Sequence, residues 1–317
     1  MHYYFCTPLD IKFLHKGLAL YYSCLNHCGN NFTMWILCLD PASHKILRKI
    51  NLEHAKILTV EDLADNDLLK TRDSRTPAEF AWTSKAPLII RVLKEIPKNE
   101  IVAYLDSDQF LFSSLGDLYA ELEGCSIAIT PHRFSAKDAY KEKLVGKFNA
   151  GMIYMRNDKN ARECLDDWRS QCIEWCYGVL DDGKLGDQMY LDNWPQLYKA
   201  VYQINNPGIN AGTWNLNNFK VTKKDGVIFL NDNKLVWYHF HPLKIYLNKK
   251  GEARAYPIQI ISPVIYNPYV FAINKSIETI RKYDDENKFR ADSKLDVFRL
   301  IKQKLIATSR LWTGNLQ

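Results

Sequence analysis

Short, mostly apolar runs recur at residues 3–6, 33–39, 56–60 and 101–105, each of strand length. Between them the period changes. Leu14, Leu18, Tyr21, Tyr22 and Leu25 recur at helical spacing with Gly29 as a stop, and residues 41–50 and 77–93 read as further helices. Continuous apolar strands alternating with helices predict an α/β fold with a mixed, mostly parallel sheet flanked by helices. Later strands are expected at 126–130, 148–155 and 235–240, with helices at 115–122 and 163–180. Residues 61–76 are polar and aperiodic and read as a long loop, as does the Pro/Gly/Asn-rich stretch 205–214. From about residue 272 the chain reads as helical and loosely tied to the core.

Composition narrows this picture without changing it. The chain has 317 residues, 47% of them hydrophobic and 25% charged, as in an ordinary globular protein. No apolar run approaches the roughly 20 residues that span a bilayer, and the first residues lack the basic and apolar segments of a signal peptide, so a cytoplasmic location is expected. The eight cysteines fit a reducing compartment; Cys24/Cys28 and Cys172/Cys176 are spaced one helical turn apart, wider than structural zinc pairs usually are. Net charge is +6, and residues 287–317 carry seven Lys or Arg against two Asp. The body is nearly neutral and the tail basic.

The candidate chemistry centres on residues 101–112, where five apolar residues lead into Asp106-Ser107-Asp108 and then Phe110, Leu111 and Phe112. Carboxylates at the end of a buried strand sit where open α/β sheets bind ligands, and a cation is the simplest partner for two so close together. His239 and His241 share a face if their segment is a strand, and imidazole added to carboxylate suits manganese better than calcium. Asn149-Ala-Gly151 offers a two-way hydrogen-bonding group beside a close-approach position, or else a strand bulge. Gly186-Asp187-Gln188 places an acid and an amide at a helix start, where a helix cap is the competing reading.

In order and spacing, the segments YLDSD, FNAG, LGDQ and HFHxxK, preceded by Thr7, Asp10 and Phe13, resemble a GT-A (Rossmann-like) glycosyltransferase over roughly residues 2–245. The resemblance is to the family 8 enzymes and to bacterial nucleotide-diphospho-sugar transferases. It implies a UDP-sugar donor, a glycan or lipid-linked acceptor, and Mn2+ or Mg2+ as cofactor. It assigns Asp106, Asp108 and His239 to the metal, with His241 in reserve, and Ser107 to the donor site between the two carboxylates. Thr7 and Asp10 would hold uracil and ribose, Phe13 would stack on the base, and Lys244 would touch the diphosphate. Asn149 and Gly151 would line the donor sugar, with Asp187 and Gln188 facing the reacting carbon. Where the family often has a phosphate-binding Arg this chain has Trp82, with Lys85 or Arg75 as substitutes. The family's Gly and Lys-Pro-Trp are also replaced, by His241-Pro242 and Lys244-Ile245. These departures leave the stereochemical course, expected to be retaining, open.

Two rival readings compete. A haloacid-dehalogenase-type phosphatase also uses Asp-x-Asp and a later acidic element, matched by Gly186, Asp187 and Asp192. A non-catalytic nucleotide-sugar-binding protein would keep the pocket without turnover. The expected organisation is a GT-A domain over 1–270 and a basic amphipathic helical extension over 271–317. Leu295, Phe298, Ile301, Leu305 and Leu311 fall at helical spacing there, between basic residues, compatible with peripheral contact at the inner membrane face. No nucleic-acid-binding motif appears.

Overall fold

The computed structural model describes residues 1–248, 250–255 and 262–290. The strands of the main sheet are β1 (Tyr3–Leu9), β2 (Phe32–Cys38), β3 (Ala55–Thr59), β4 (Ile101–Leu105), β6 (Ile127–Pro131), β7 (Phe148–Arg156) and β8 (Val201–Gln203), with β5 (Gln109–Leu111) standing outside it. Their order is β3-β2-β1-β4-β7-β6-β8. The β1, β2, β3 and β4 pairings and β6–β8 are parallel, and only β7 runs against its neighbours. Every residue of β4 is buried, as its apolar run predicts for a central strand.

Helices α1 (Leu14–Cys28), α2 (Pro41–Ile50), α3 (Asn66–Thr71), α4 (Pro77–Thr83), α5 (Lys85–Leu93), α6 (Gly116–Glu121), α7 (Glu142–Val145), α8 (Lys159–Glu174), α9 (Trp194–Leu197) and α10 (Pro263–Tyr283) flank the sheet. One apolar core joins α1 and α10 to the sheet; a second joins it to α5 and α8. A small sheet β5-β13-β9 and a meander of β10 (Val221–Lys224), β11 (Val227–Leu230) and β12 (Asn233–Lys234) follow, where β9 is Ala211–Gly212 and β13 is Trp237–His239. A hairpin of β14 (Ile245–Leu247) and β15 (Ala253–Ala255) leads towards α10.

Four expectations change. Residues 61–76 are not a loop: Asp65 accepts from Leu68 N and starts α3, while Leu63 and Leu68 are buried. The helix over 77–93 is two helices meeting at Ser84. Helix α8 starts at a side-chain cap from Asp158 and ends at Glu174, short of residue 180. The largest change is at the C-terminus. The boundary expected at 270/271 falls inside α10, which packs along α1 and buries Ile265, Tyr266, Tyr269, Ile273, Ile277 and Ile280. The apolar and basic positions from 291 onward lie outside the described residues.

Candidate active site

The turn after β4 is closed by Gln109 N donating to the Asp106 carbonyl. Strand β13 then pairs antiparallel with β5, placing His239 opposite Gln109, and Phe240 N donates to the Asp108 carbonyl. A pairing across some 130 residues of chain thus sets His239 Nε2 3.0 Å from Asp108 Oδ1 and 3.8 Å from Asp106 Oδ2. Asp108, His239 and His241 each offer one ligand atom, all within 4.8 Å of one another. Both ring nitrogens of His239 are buried without a hydrogen bond, the approach to Asp108 lacking hydrogen-bond geometry. Orphaned imidazole nitrogens beside carboxylate oxygens fit a divalent transition cation, Mn2+ included. Gly151 makes this possible, since a Cβ there would fall 2.4 Å from His239 Cε1.

Asp106 faces the other way. Its Oδ1 accepts from Tyr104 Oη at 2.7 Å and lies 3.3 Å from Lys85 Nζ. Lys85 is 3% exposed and also pairs with Asp187 Oδ2 at 2.9 Å and donates to Ala150 O at 3.0 Å. Lys85, expected as a phosphate ligand, braces two carboxylates while lining the larger cavity. Arg75, the alternative, donates to Ile173 O and lines neither of the two cavities that meet at Asp106.

The register of β7 against β6 shifts between Ile129 and Thr130, a bulge that presents Asn149 and Gly151 to the site. Asn149 Nδ2 lies 3.2 Å from Gln188 Oε1 and 3.3 Å from His132 Nε2, while Gln188 Nε2 donates to Val145 O at 2.6 Å. Asp187 precedes a short 3-10 turn at Met189–Asn193 and caps nothing; its carboxylate is turned inward to Lys85. Asp192 accepts from Lys147 N and Phe148 N and lines neither cavity, so the second acidic element of a phosphatase is absorbed by backbone.

Burial alone would raise the Asp108 carboxyl, but its neighbours His239 and Lys16, with His241, outweigh it and hold the group well below the ordinary range. Burial would likewise lower Lys85, yet Asp106 and Asp187 raise it. Asp187 is raised by burial, with Lys85 opposing. Burial depresses His132 to about 4, leaving a neutral ring beside the Gly146 and Lys147 carbonyls.

Two cavities meet here. One, of about 580 Å3, is lined by Lys85, Asn149, Gly151, Asp187, Gln188 and Trp214, among others. The other, of about 480 Å3, is lined by Asp10, Phe13, Pro77, Ala81, Ser107 and Asp108. Trp82, Asp106 and His241 line both. Phe13 is 40% exposed at the second cavity, and Asp10 Oδ1 accepts from Phe13 N, fixing that turn. Two residues expected at the donor lie outside the cavity linings. Thr7 is fully buried within β1 and lines neither cavity, and neither does Lys244. His132 is a site residue that sequence reasoning missed, and Trp82, read only as replacing an Arg, lines both cavities. Lys16 lies buried on α1 with Nζ donating to Leu243 O, and only its basic character on an apolar helix face marks it.

The chain is 32% identical to YfnF of Bacillus subtilis (strain 168) over 76% of this chain and 82% of that one. It is 29% identical to YfnD of the same strain over 88% and 91%; both relatives are uncharacterized. No family model matches. Among solved structures, the galactosyltransferase LgtC, in complex with donor and acceptor sugar analogs, covers 93% of this chain and 99% of its own at TM-score 0.52 and 14% identity. The glycosyltransferase GlyE of Streptococcus pneumoniae TIGR4 covers 93% of this chain and 66% of its own, at TM-score 0.51 and 15% identity. The fold is GT-A.

Proposed function

The chain belongs to the family of Bacillus subtilis YfnF and YfnD, and from that premise and its GT-A fold we propose that it is a metal-dependent glycosyltransferase. It moves a sugar from a nucleotide-sugar donor, of the UDP class, to a glycan or lipid-linked acceptor. One observation carries the reading: the Asp108–His239–His241 cluster lies where the two cavities meet, Asp106 and His241 lining both. That junction is where a diphosphate joins nucleoside to sugar.

In this reading Asp108, His239 and His241 would hold Mn2+ or Mg2+, with Asp106 Oδ2 beside them. The bound cation supplies Lewis-acid stabilisation of the charge left on the departing diphosphate. Phe13 and Asp10 receive base and ribose in the smaller cavity. In the larger one, Asn149 and Gln188 fix the sugar pocket through their mutual hydrogen bond, and Trp82 closes the wall between the halves. Asp187, held by Lys85, keeps negative charge near the carbon at which an acceptor hydroxyl replaces the diphosphate, consistent with retention. Among the described residues no helix is long and apolar enough to cross a membrane. Peripheral contact through the basic C-terminal residues belongs to the same proposal.

The test is equilibrium binding of UDP and UDP-hexoses with and without manganese, on wild type and Asp108→Asn. Manganese is expected to strengthen UDP binding in wild type alone. UDP binding indifferent to both changes, or phosphate release from an aryl phosphate, would refute the proposal.

A further inference from the structure

A third cavity, of about 730 Å3, adjoins the nucleotide cavity and has no lining residue in common with the sugar pocket. It is larger than either cavity of the proposed donor site and shares with the smaller one only Asp10, Lys12, Leu39 and Pro77. Five cationic side chains line it: Lys12, Lys45, Arg72, Arg75 and Lys288. The three acids in the same wall are occupied. Asp10 accepts from Phe13 N at 2.9 Å, and Asp40 accepts from Ser43 N at 2.8 Å and Ile11 N at 2.6 Å. Glu286 is paired with Lys45. Arg72 shares an exposed pair with Glu61 at 3.3 Å, and among the described residues no carboxylate pairs with Lys12, Arg75 or Lys288.

Arg75 supplies a second, independent observation. It is only 9% exposed, lies with its guanidinium 3.9 Å from the Tyr177 ring centroid, and donates from Nη2 to Ile173 O at 3.2 Å. Its Nε is buried with no partner at all. A guanidinium this buried in the cavity wall, with no carboxylate paired to it, is a positive charge that an anion in the cavity would offset. The positive end of the ten-residue helix α2, through Pro41 and Ala42, lines the same space.

We propose that this cavity is a second binding site, separate from the donor site, for a small molecule carrying phosphate or diphosphate. Its size fits a ligand of sugar-phosphate or nucleotide dimensions rather than a bare ion. Arg72, Arg75 and Lys288 hold the anionic group, and the shared wall at Lys12 and Pro77 brings the bound ligand against the nucleotide cavity. Nothing in this assignment depends on sugar transfer or on the cation cluster.

Inorganic diphosphate is the probe, titrated calorimetrically into the full chain in excess EDTA so that the cation cluster stays unloaded. Saturable binding is expected, weakened about tenfold or more in Arg72→Gln/Lys288→Gln, because charge-assisted contacts are the strong ones. Both positions are exposed, so an unchanged melting temperature is expected of that variant. Asp108→Asn should leave the affinity unchanged. The proposal is overturned by absence of saturable binding below about 10 mM. It is equally overturned by binding that ignores the double variant, or by binding that moves with Asp108→Asn. Loss of UDP binding would overturn the transfer reading and leave this result standing.

Discussion

The nucleotide-side and sugar-side cavities meet at Asp106 but hold their charges by opposite means. On the nucleotide side, Asp10 is satisfied by the backbone N–H of Phe13, three residues along the chain. At the junction and on the sugar side, Asp108 and Asp187 are held by side chains distant in sequence, His239 and Lys85, and Asp106 shares Lys85 with Asp187. Local turns fix the first arrangement even if a neighbour is lost. The second stands only while every long-range partner is in place, so substitutions there should cost far more.

The largest effect is expected at Asp108. Asp108→Ala removes the one carboxylate in the cation cluster, and both transfer and manganese-dependent UDP binding should fall at least about a thousandfold. Residual transfer within tenfold of wild type would show that the cluster is not the cation site.

Lys85 comes next, and it is read in stability. Lys85→Met leaves Asp187, itself 4% exposed, without its cation, at a cost of about 3–5 kcal/mol in urea denaturation. Adding Asp187→Leu should recover much of that loss, because the orphaned charge goes with it. A single variant as stable as wild type would mean that the strut carries no weight.

The same contrast explains what was legible from sequence. Strands β1 to β4 and helices α1 and α2 follow from apolar period alone, and the carboxylates after β4 announce themselves by position. Lys85 was visible as a residue but not as a strut, because its partners lie 21 and 102 positions downstream and only the fold brings them together. His132 carried no signal at all, since its role depends on β6 and β7 being neighbours. The segment over 61–76 failed for a local reason: its apolar anchors, Leu63 and Leu68, are too sparse to show a period, although Asp65 does mark the helix start. Helix α10 includes the stretch from residue 272 that reads as loosely tied to the core, yet its buried stripe seats it on α1.

His132 gives the sugar side a pH dependence. Its folded-state value of about 4 lies below the unfolded value near 6.5, so the unfolded chain binds more protons in that window. Stability is therefore complete above about pH 6.5 and falls as the pH drops towards 4, by up to about 3 kcal/mol from this residue. His15, buried on α1 against Phe289 and lowered to about 3, adds to the same slope. Denaturation midpoints at pH 7.5 and 4.5 should diverge less in His132→Gln than in wild type. An equal divergence would remove His132 as a source.

Gly151→Ala sharpens the comparison more gently. The added Cβ would lie 2.4 Å from His239 Cε1 and 2.8 Å from Asn149 Oδ1, so the imidazole must shift. Overpacking of this kind costs about 1–3 kcal/mol, and displacing a ligand's support weakens metal binding roughly 10–100-fold. Manganese affinity should drop more than UDP affinity measured without metal. Equal losses would mean that the glycine serves the fold and not His239.

Thr7→Val should have the smallest effect, and it separates a residue that lies near the donor site from one that belongs to it. The Thr7 hydroxyl is buried without a partner inside a parallel strand, so an isosteric methyl removes an unsatisfied group and leaves the packing volume alone. Stability should change by less than about 1 kcal/mol, towards greater stability if at all. UDP affinity should not move, because the side chain faces the sheet interior while Pro8, Leu9 and Asp10 line the cavity. Phe13→Ala, one turn along the same segment and open to that cavity, should weaken UDP binding while leaving the fold intact. If Thr7→Val weakens UDP binding as much as Phe13→Ala does, the hydroxyl reaches the base after all, and the nucleotide side is less rigid than its backbone hydrogen bonds imply.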